Sequence, residues 1–153
     1  MDTGQQLIDG IQLTDLRIIP NEKGNIYHGL KSTDINYKGF GEAYFTTIKK
    51  GSVKGWKKHN SMISNLIVPI GIIRFVFYDD RDASLTKSTV NIFEISNLNY
   101  KRITIYPGIW FAFEGLDDFN LLLNISNIIH DPNESENLCL DNPSFNYYNI
   151  TNK

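Results

Sequence analysis

An all-β fold, a jelly roll closed as a double-stranded β-helix, is predicted for this chain by three observations. β-Branched and aromatic residues gather in short runs, residues that tolerate tight turns separate the runs, and no window sustains a helical period with caps at both ends. Short strands at this spacing argue for a sandwich or a small barrel, of which the jelly roll is the common closed form. With 153 residues and 41% hydrophobic content, the chain has material for one core and too little for two ordinary domains. Residues 1–153 are therefore read as one domain.

The strand candidates in chain order are EAYFTTIKK, VKGWKKH, NLIVPIG, IIRFVFYD, TVNIFEI, KRITIY, IWFAFEG and FNLLLNIS. Between them lie KKGS, DDRDAS, SNLN, YPG and GLDD, whose Gly, Asp, Asn, Ser and Pro supply the backbone angles that turns need. From about residue 130 to 153 the character changes. The stretch HDPNESENLCLDNPSFNYYN carries Pro132 and Pro143, acids and clustered aromatics, and is predicted to wrap the barrel irregularly instead of adding to its sheets.

Charge narrows the partners. Fifteen basic and seventeen acidic residues nearly cancel, so no global field favours nucleic acid or an anionic membrane. The one dense basic cluster, Lys49, Lys50, Lys54, Lys57 and Lys58, reads first as a solvated strand end. Cys139 is the only cysteine; it excludes an internal disulfide and suits a reducing cytoplasm. The first twenty residues lack a basic start followed by an apolar core, and no apolar run approaches the roughly 20 residues that span a bilayer.

The segment GSVKGWKKH, Gly51 to His59, raises the question of a metal. It resembles the motif of the double-stranded β-barrel proteins called cupins, in which a Gly is followed after five residues by His, any residue and His. Here Lys57 holds the first His position and His59 the second. Ser64 stands where the pattern expects Glu and Gly71 where it expects Gly. After Pro107 and Gly108, Phe111 occupies the place of the last His. A metal needs several donors converging at about 2 Å, and three of the four are replaced, so no metal is expected.

Taken in order, VKGWKKH, NLIVPIG, RFVFYDDR, YPGIWFAFEGL and NLLLNISNIIHDPNE resemble the dTDP-4-dehydrorhamnose 3,5-epimerase family, metal-independent cupins that act on nucleotide-linked 4-keto sugars. YKGFGEAYF further resembles that family's Arg-Gly-Phe-Phe-x-Glu segment. The resemblance implies a nucleotide-linked sugar as ligand and no cofactor, and the exposed sheet edges of such a jelly roll predict a homodimer. A carbonyl at C4 acidifies the hydrogens on C3 and C5, so the chemistry requires a base, a group that holds the enolate oxygen, and a proton donor across the ring.

In the family the base is a His in an Arg-Gly-Leu-His stretch, helped by an Asp, and a Tyr is the acid. KGWK, Lys54 to Lys57, overlies that stretch and puts Lys57 in the place of the base, with His59 two residues on. Strand periodicity groups Val53, Gly55, Lys57 and His59 on one face and Lys54, Trp56 and Lys58 on the other. Either the first set or Trp56 faces the interior; the family alignment implies the first. His59 as base with Lys57 on the enolate is the economical assignment, because an imidazole of pKa about 6.5 is largely neutral at pH 7. The reverse assignment requires the Lys57 pKa to fall by several units.

The family's Tyr falls near Asn124, which cannot exchange a proton but can hydrogen-bond a sugar hydroxyl or an enolate oxygen. Water or a tyrosine from elsewhere would then return the proton. The Asp partner falls in LCLDNP, on Asp141 or, in direct register, Asn142. For the nucleotide, Lys38 and Lys54 replace two family arginines and keep the charge without the bidentate fork, while Phe40 and Glu42 match residues that cover and hydrogen-bond the base, often in a neighbouring subunit's site. Two functions stay open at this point: an epimerase or isomerase of a dTDP-linked or similar 4-keto-6-deoxy sugar, and a catalytically silent nucleotide-sugar-binding cupin.

Overall fold

A computed structural model describes residues 6–152; residues 1–5 of the stretch searched for a leader lie outside the described residues. The fold is the predicted jelly roll, built from two five-stranded antiparallel sheets. The first sheet runs in the order β1 (Ile11–Asp15), β9 (Lys101–Ile105), β6 (Ser64–Ile70), β11 (Asn120–Ser126) and β4 (Glu42–Ile48). The second runs β12 (Ser135–Asn137), β5 (Val53–His59), β10 (Trp110–Gly115), β7 (Ile72–Tyr78) and β8 (Val90–Ser96). A separate ribbon pairs β2 (Ile18–Ile19) with β3 (Ile26–Tyr27).

All eight strands expected from the sequence are present. Their alternation explains the layers. On β7, Ile73, Phe75 and Phe77 point between the sheets and join Ile48, Leu66, Val68, Ile103, Phe111 and Leu122 in the main core. Val76 on the same strand faces the other way and joins Trp56, Trp110, Ala112, Phe145 and Tyr147 in a second cluster outside the second sheet. Both faces of β7 and β10 are thus buried, which is why these strands read as almost unbroken apolar runs.

The tail supplies that outer layer, and it does more than wrap. Ser135–Asn137 extends the second sheet as β12, pairing Ser135 with His59 and Asn137 with Lys57. Farther on, Phe145 stacks on Tyr78 with ring centroids 4.4 Å apart and meets Trp56 edge-on at 5.3 Å. A one-turn helix, Tyr147–Thr151, ends the described chain, and its Tyr147 hydroxyl donates to Glu114 Oε2 at 2.8 Å. The run of acids and prolines hid the short strand, because β12 is only three residues long and its side chains do not alternate in polarity.

On the outer face of the first sheet, the fully buried guanidinium of Arg102 holds the segment that leads into β4. It donates to Asp34 Oδ2 at 2.9 Å, to Asn36 Oδ1 at 2.6 Å and to the Gly29 carbonyl at 2.6 Å. Asn36 in turn donates to Thr104 Oγ1 at 3.0 Å. The bonds from the two terminal nitrogens of the guanidinium fix the loop against the sheet, while the buried Nε has no partner among the described residues.

One strand contact sets the geometry of everything that follows. Along β10, Phe111 pairs with Lys57 and Phe113 with Lys54, so an extra residue of β5 is accommodated opposite Ala112. Gly55 has φ +131°, and a Cβ there would lie 2.7 Å from the Ala112 Cα and 2.8 Å from the Phe111 carbonyl oxygen. Gly51 also has a positive φ, +75°, yet faces open space. Gly51→Ala is therefore expected to cost about 1–2 kcal/mol for its backbone angle alone, and Gly55→Ala distinctly more. Urea unfolding of the two variants checks the order; equal losses would contradict it.

Candidate active site

Between the sheets, at the end where β4, β5 and β11 meet, lies a cavity of about 270 Å³. Its lining brings together Lys54, Lys57 and His59 from β5 with Tyr44 from β4 and Asn124 from β11. Leu66, Phe111, Phe113 and Leu122 form its apolar floor. A few convergent polar groups above an apolar base are what a small-ligand site requires.

The irregularity at Gly55 decides which lysines enter. Strict alternation predicts Lys54 on the face opposite Lys57 and His59. The extra residue restores the phase, so Lys54 lines the cavity with them while Val53 packs against the outer cluster. Trp56 is fully buried, but beneath the tail and with no bearing on the inward aim of its neighbours. The two interiors offered by the sequence are both occupied. The lysine cluster is divided accordingly: Lys58 lies over the Trp110 ring at 4.7 Å and pairs with Glu136 at 3.3 Å, and Lys50 pairs with Asp118 at 3.0 Å.

His59 is 7% exposed and is clamped from two sides. Its ring stacks on Phe111, centroids 5.9 Å apart, at the position where the cupin pattern would have its last His. Its Nδ1 lies 2.7 Å from Glu134 Oε2. The other oxygen of Glu134 accepts from the backbone N–H groups of Ser61 at 2.8 Å and Met62 at 2.7 Å. This carboxylate is an acceptor on both sides, so Nδ1 carries the ring proton and the Nε2 lone pair is left for the cavity.

The carboxylate beside His59 differs from the one expected. Asp141 is exposed, inside the turn that the Asn142 N–H closes by donating to the Cys139 carbonyl, and it does not line the cavity; neither does Asn142. Glu134 takes the place because β12 pairs with β5 in antiparallel register and brings the single 3₁₀ turn Pro132–Glu134 to the end of β5. The Asn60 N–H donates to the Glu134 carbonyl at 2.9 Å and locks that approach. In the sequence, Asp-Pro followed by Asn-Glu is the legible sign: Asp131 caps the turn by accepting from the Asn133 N–H, and Glu134 ends it.

Burial depresses the His59 pKa from its ordinary value, with the charges of Lys57 and His130 acting in the same direction; Glu134 opposes them and does not overcome them. For Glu134, burial works against ionisation, but the two backbone N–H groups and His59 hold its pKa below the usual glutamate range. At neutral pH the pair is a neutral imidazole oriented by a carboxylate. Such an imidazole is a competent base.

The remaining candidates separate. Asn124 is buried, and its Nδ2 donates to the Tyr44 hydroxyl at 2.8 Å, while its Oδ1 has no partner. Lys54 Nζ donates to the Thr47 carbonyl at 3.1 Å. Lys38 and Phe40 are exposed and Glu42 is half-buried at the start of β4; none of the three lines the cavity of its own chain. Among the described residues no group of three or more His, Cys, Asp or Glu side chains is placed to share a metal ion, and no helix is long and apolar enough to cross a membrane.

A dTDP sugar isomerase from Desulfovibrio desulfuricans, known from its crystal structure, is 34% identical to this chain, superposes with a TM-score of 0.87, and is matched over 90% of this chain and 89% of its own. The chain belongs to the dTDP-4-dehydrorhamnose 3,5-epimerase family. The probable low-salt glycan biosynthesis epimerase Agl13 of Haloferax volcanii is 27% identical over 127 residues, 81% of each chain. A dTDP-6-deoxy-D-glucose-3,5-epimerase from Legionella pneumophila, solved in complex with dTDP-4-keto-L-rhamnose, shares the fold at 18% identity, with a TM-score of 0.80 over 92% of this chain and 78% of its own. No protein-family model matches the chain.

The protonation state of the site is directly measurable. The His59 imidazole is expected to titrate below pH 6.5, the ordinary value, in an NMR pH series. Because its folded pKa lies below its unfolded one, its contribution to stability is present above about pH 6.5 and is lost as pH falls toward the folded value. Glu134→Gln removes the one charge that raises the His59 pKa, so its midpoint moves further down. A midpoint above 6.5, or an upward move in the variant, contradicts the description.

Proposed function

We propose that this chain is a nucleotide-sugar epimerase or isomerase that removes a proton from the carbon beside the 4-keto group of a dTDP-linked or similar 4-keto-6-deoxy sugar. The observation that carries the reading is the buried His59–Glu134 pair, 2.7 Å apart, with Lys57 on the same cavity wall. Nε2 of His59 takes the proton, Glu134 holds the ring in the required tautomer, and the Lys57 ammonium stands by the enolate oxygen as charge develops there. The names of the Desulfovibrio and Haloferax relatives, an isomerase of dTDP sugars and an epimerase of glycan biosynthesis, support the same class of reaction.

The nucleotide half of the ligand lies toward Lys54, whose charge meets a diphosphate at the cavity mouth. Lys38, Phe40 and Glu42 are assigned to the base of a nucleotide held by a second copy, in a cytoplasmic homodimer. The exposure of Lys38 and Phe40, 64% for Phe40, and the place of all three after a segment fixed by Arg102 suit a rigid arm offered to a neighbour.

Incubation with dTDP-4-keto-6-deoxyglucose in deuterium oxide tests the reaction. Deuterium is expected at C3 or C5, with the rate falling about 10²–10⁴-fold in His59→Asn and about 10²–10³-fold in Lys57→Met. Thymidine diphosphate binding without any exchange would make the chain a silent binding protein instead.

A further inference from the structure

We propose that Tyr44 is the proton donor of this site, and that Asn124 positions it. This deepens the reading above and rests on it. The residue equivalence given by the family resemblance leaves the acid missing, because Asn124 stands where the family has its Tyr. The structure puts a phenol one strand over. Asn124 and Tyr44 are cross-strand partners on β11 and β4, side by side on the inner face of the first sheet, and both line the cavity.

The direction of their hydrogen bond matters. Asn124 Nδ2 donates to the Tyr44 oxygen at 2.8 Å, so the phenol oxygen is an acceptor there and its own O–H is free to donate into the cavity. The N–H that remains on the oxygen is placed to hold the charge left when that proton departs. Asn124 is only 6% exposed, and its Oδ1 is a buried acceptor with no partner in the protein. An unmet acceptor on a cavity wall points to a donor on the ligand, and a sugar hydroxyl is one.

The topology fixes which face of the sugar each group meets. His59 and Lys57 come from β5 in the second sheet; Tyr44 and Asn124 come from the first sheet, across the cavity. A ring between them presents one face to the imidazole and the other to the phenol. His59 takes the proton from one face and leaves the electron pair as an enolate. Tyr44 gives its O–H proton to the same carbon from the opposite face, forming the new C–H bond and leaving a phenolate. The imidazolium then loses its proton to water and the phenolate gains one, which restores both groups with no other reactant. The product is the inverted centre, so this geometry is that of an epimerase and not of a same-face isomerase.

Removing only the phenolic hydroxyl separates the two half-steps. Tyr44→Phe, with dTDP-4-keto-6-deoxyglucose in deuterium oxide, is expected to incorporate deuterium with retained configuration, because His59 still removes and returns the proton on its own face. Inverted product falls at least about 100-fold, while thymidine diphosphate binds as it does to the parent, which serves as the control for folding. A side chain with a merely structural role would lower exchange and inversion together. Inversion at the parent rate in Tyr44→Phe overturns the assignment, as does a parent protein that exchanges the proton without inverting the carbon. A parent protein with no exchange at all removes the reaction itself, and Tyr44 with it.

Discussion

The passage of the Gly55 backbone against Ala112 is the constraint on which the site depends. Two strands cannot approach this closely with a Cβ between them, and glycine both removes the atom and accepts the positive φ. The approach makes room for the extra residue of β5. That residue shifts the phase of alternation by one, so the strand presents Lys54, Lys57 and His59 to the cavity where a regular strand would offer two of the three. Trp56 keeps the outward face that alternation with Lys57 gives it, where an indole of this size needs another layer to cover it.

The tail is that layer, and its two tasks are coupled. Phe145 and Tyr147 close over Trp56, while β12 pairs backbone to backbone with β5 and delivers Glu134 to His59. The strand that would otherwise be an open edge beside the site is thereby occupied. Aromatic burial outside the sheet and orientation of the imidazole inside it are two consequences of one docked segment. Tyr147 adds a third tie: burial, with the Glu114 carboxylate beside it, pushes its phenol far above the ordinary range, which keeps the proton on the hydrogen bond it donates to Glu114.

The architecture was legible because it is written in local pattern. Eight runs of β-branched and aromatic residues became eight strands, and the order of Gly51, Gly71, Pro107 and Gly108 marked the barrel's turns. Lys57 and His59 were legible for the same reason, being two apart on a strand. The strand face of Lys54, though not its place among the binding candidates, was misread because a period of two holds only until a bulge, and nothing in KGWK announces one except Gly55 itself. Glu134 was missed in favour of Asp141 because the choice depends on the register of a three-residue strand, a long-range fact with no local signature. Tyr44 was not singled out because its significance lies in its cross-strand neighbour, which only pairing of β4 with β11 reveals.

Replacing the family's first His with a lysine changes the electrostatics of the site in a consistent direction. Burial disfavours a charged imidazole, and the positive charge of Lys57 does the same; both keep the ring neutral. The same charge would then hinder proton abstraction if nothing else changed, since the product of that step is an imidazolium. In the proposed reaction an enolate forms in the same step, and its negative charge would attract both cations. On that proposal the lysine disfavours a protonated His59 in the empty site and favours it once the carbanion exists, which is stabilisation of the transition state more than of the ground state. Glu134 complements this from behind the ring, where its charge opposes the depression of the His59 pKa. On the proposed assignment the set differs from the family's at the first His, the Asp and the Tyr, and it still opposes a positive charge to a negative one at the imidazole.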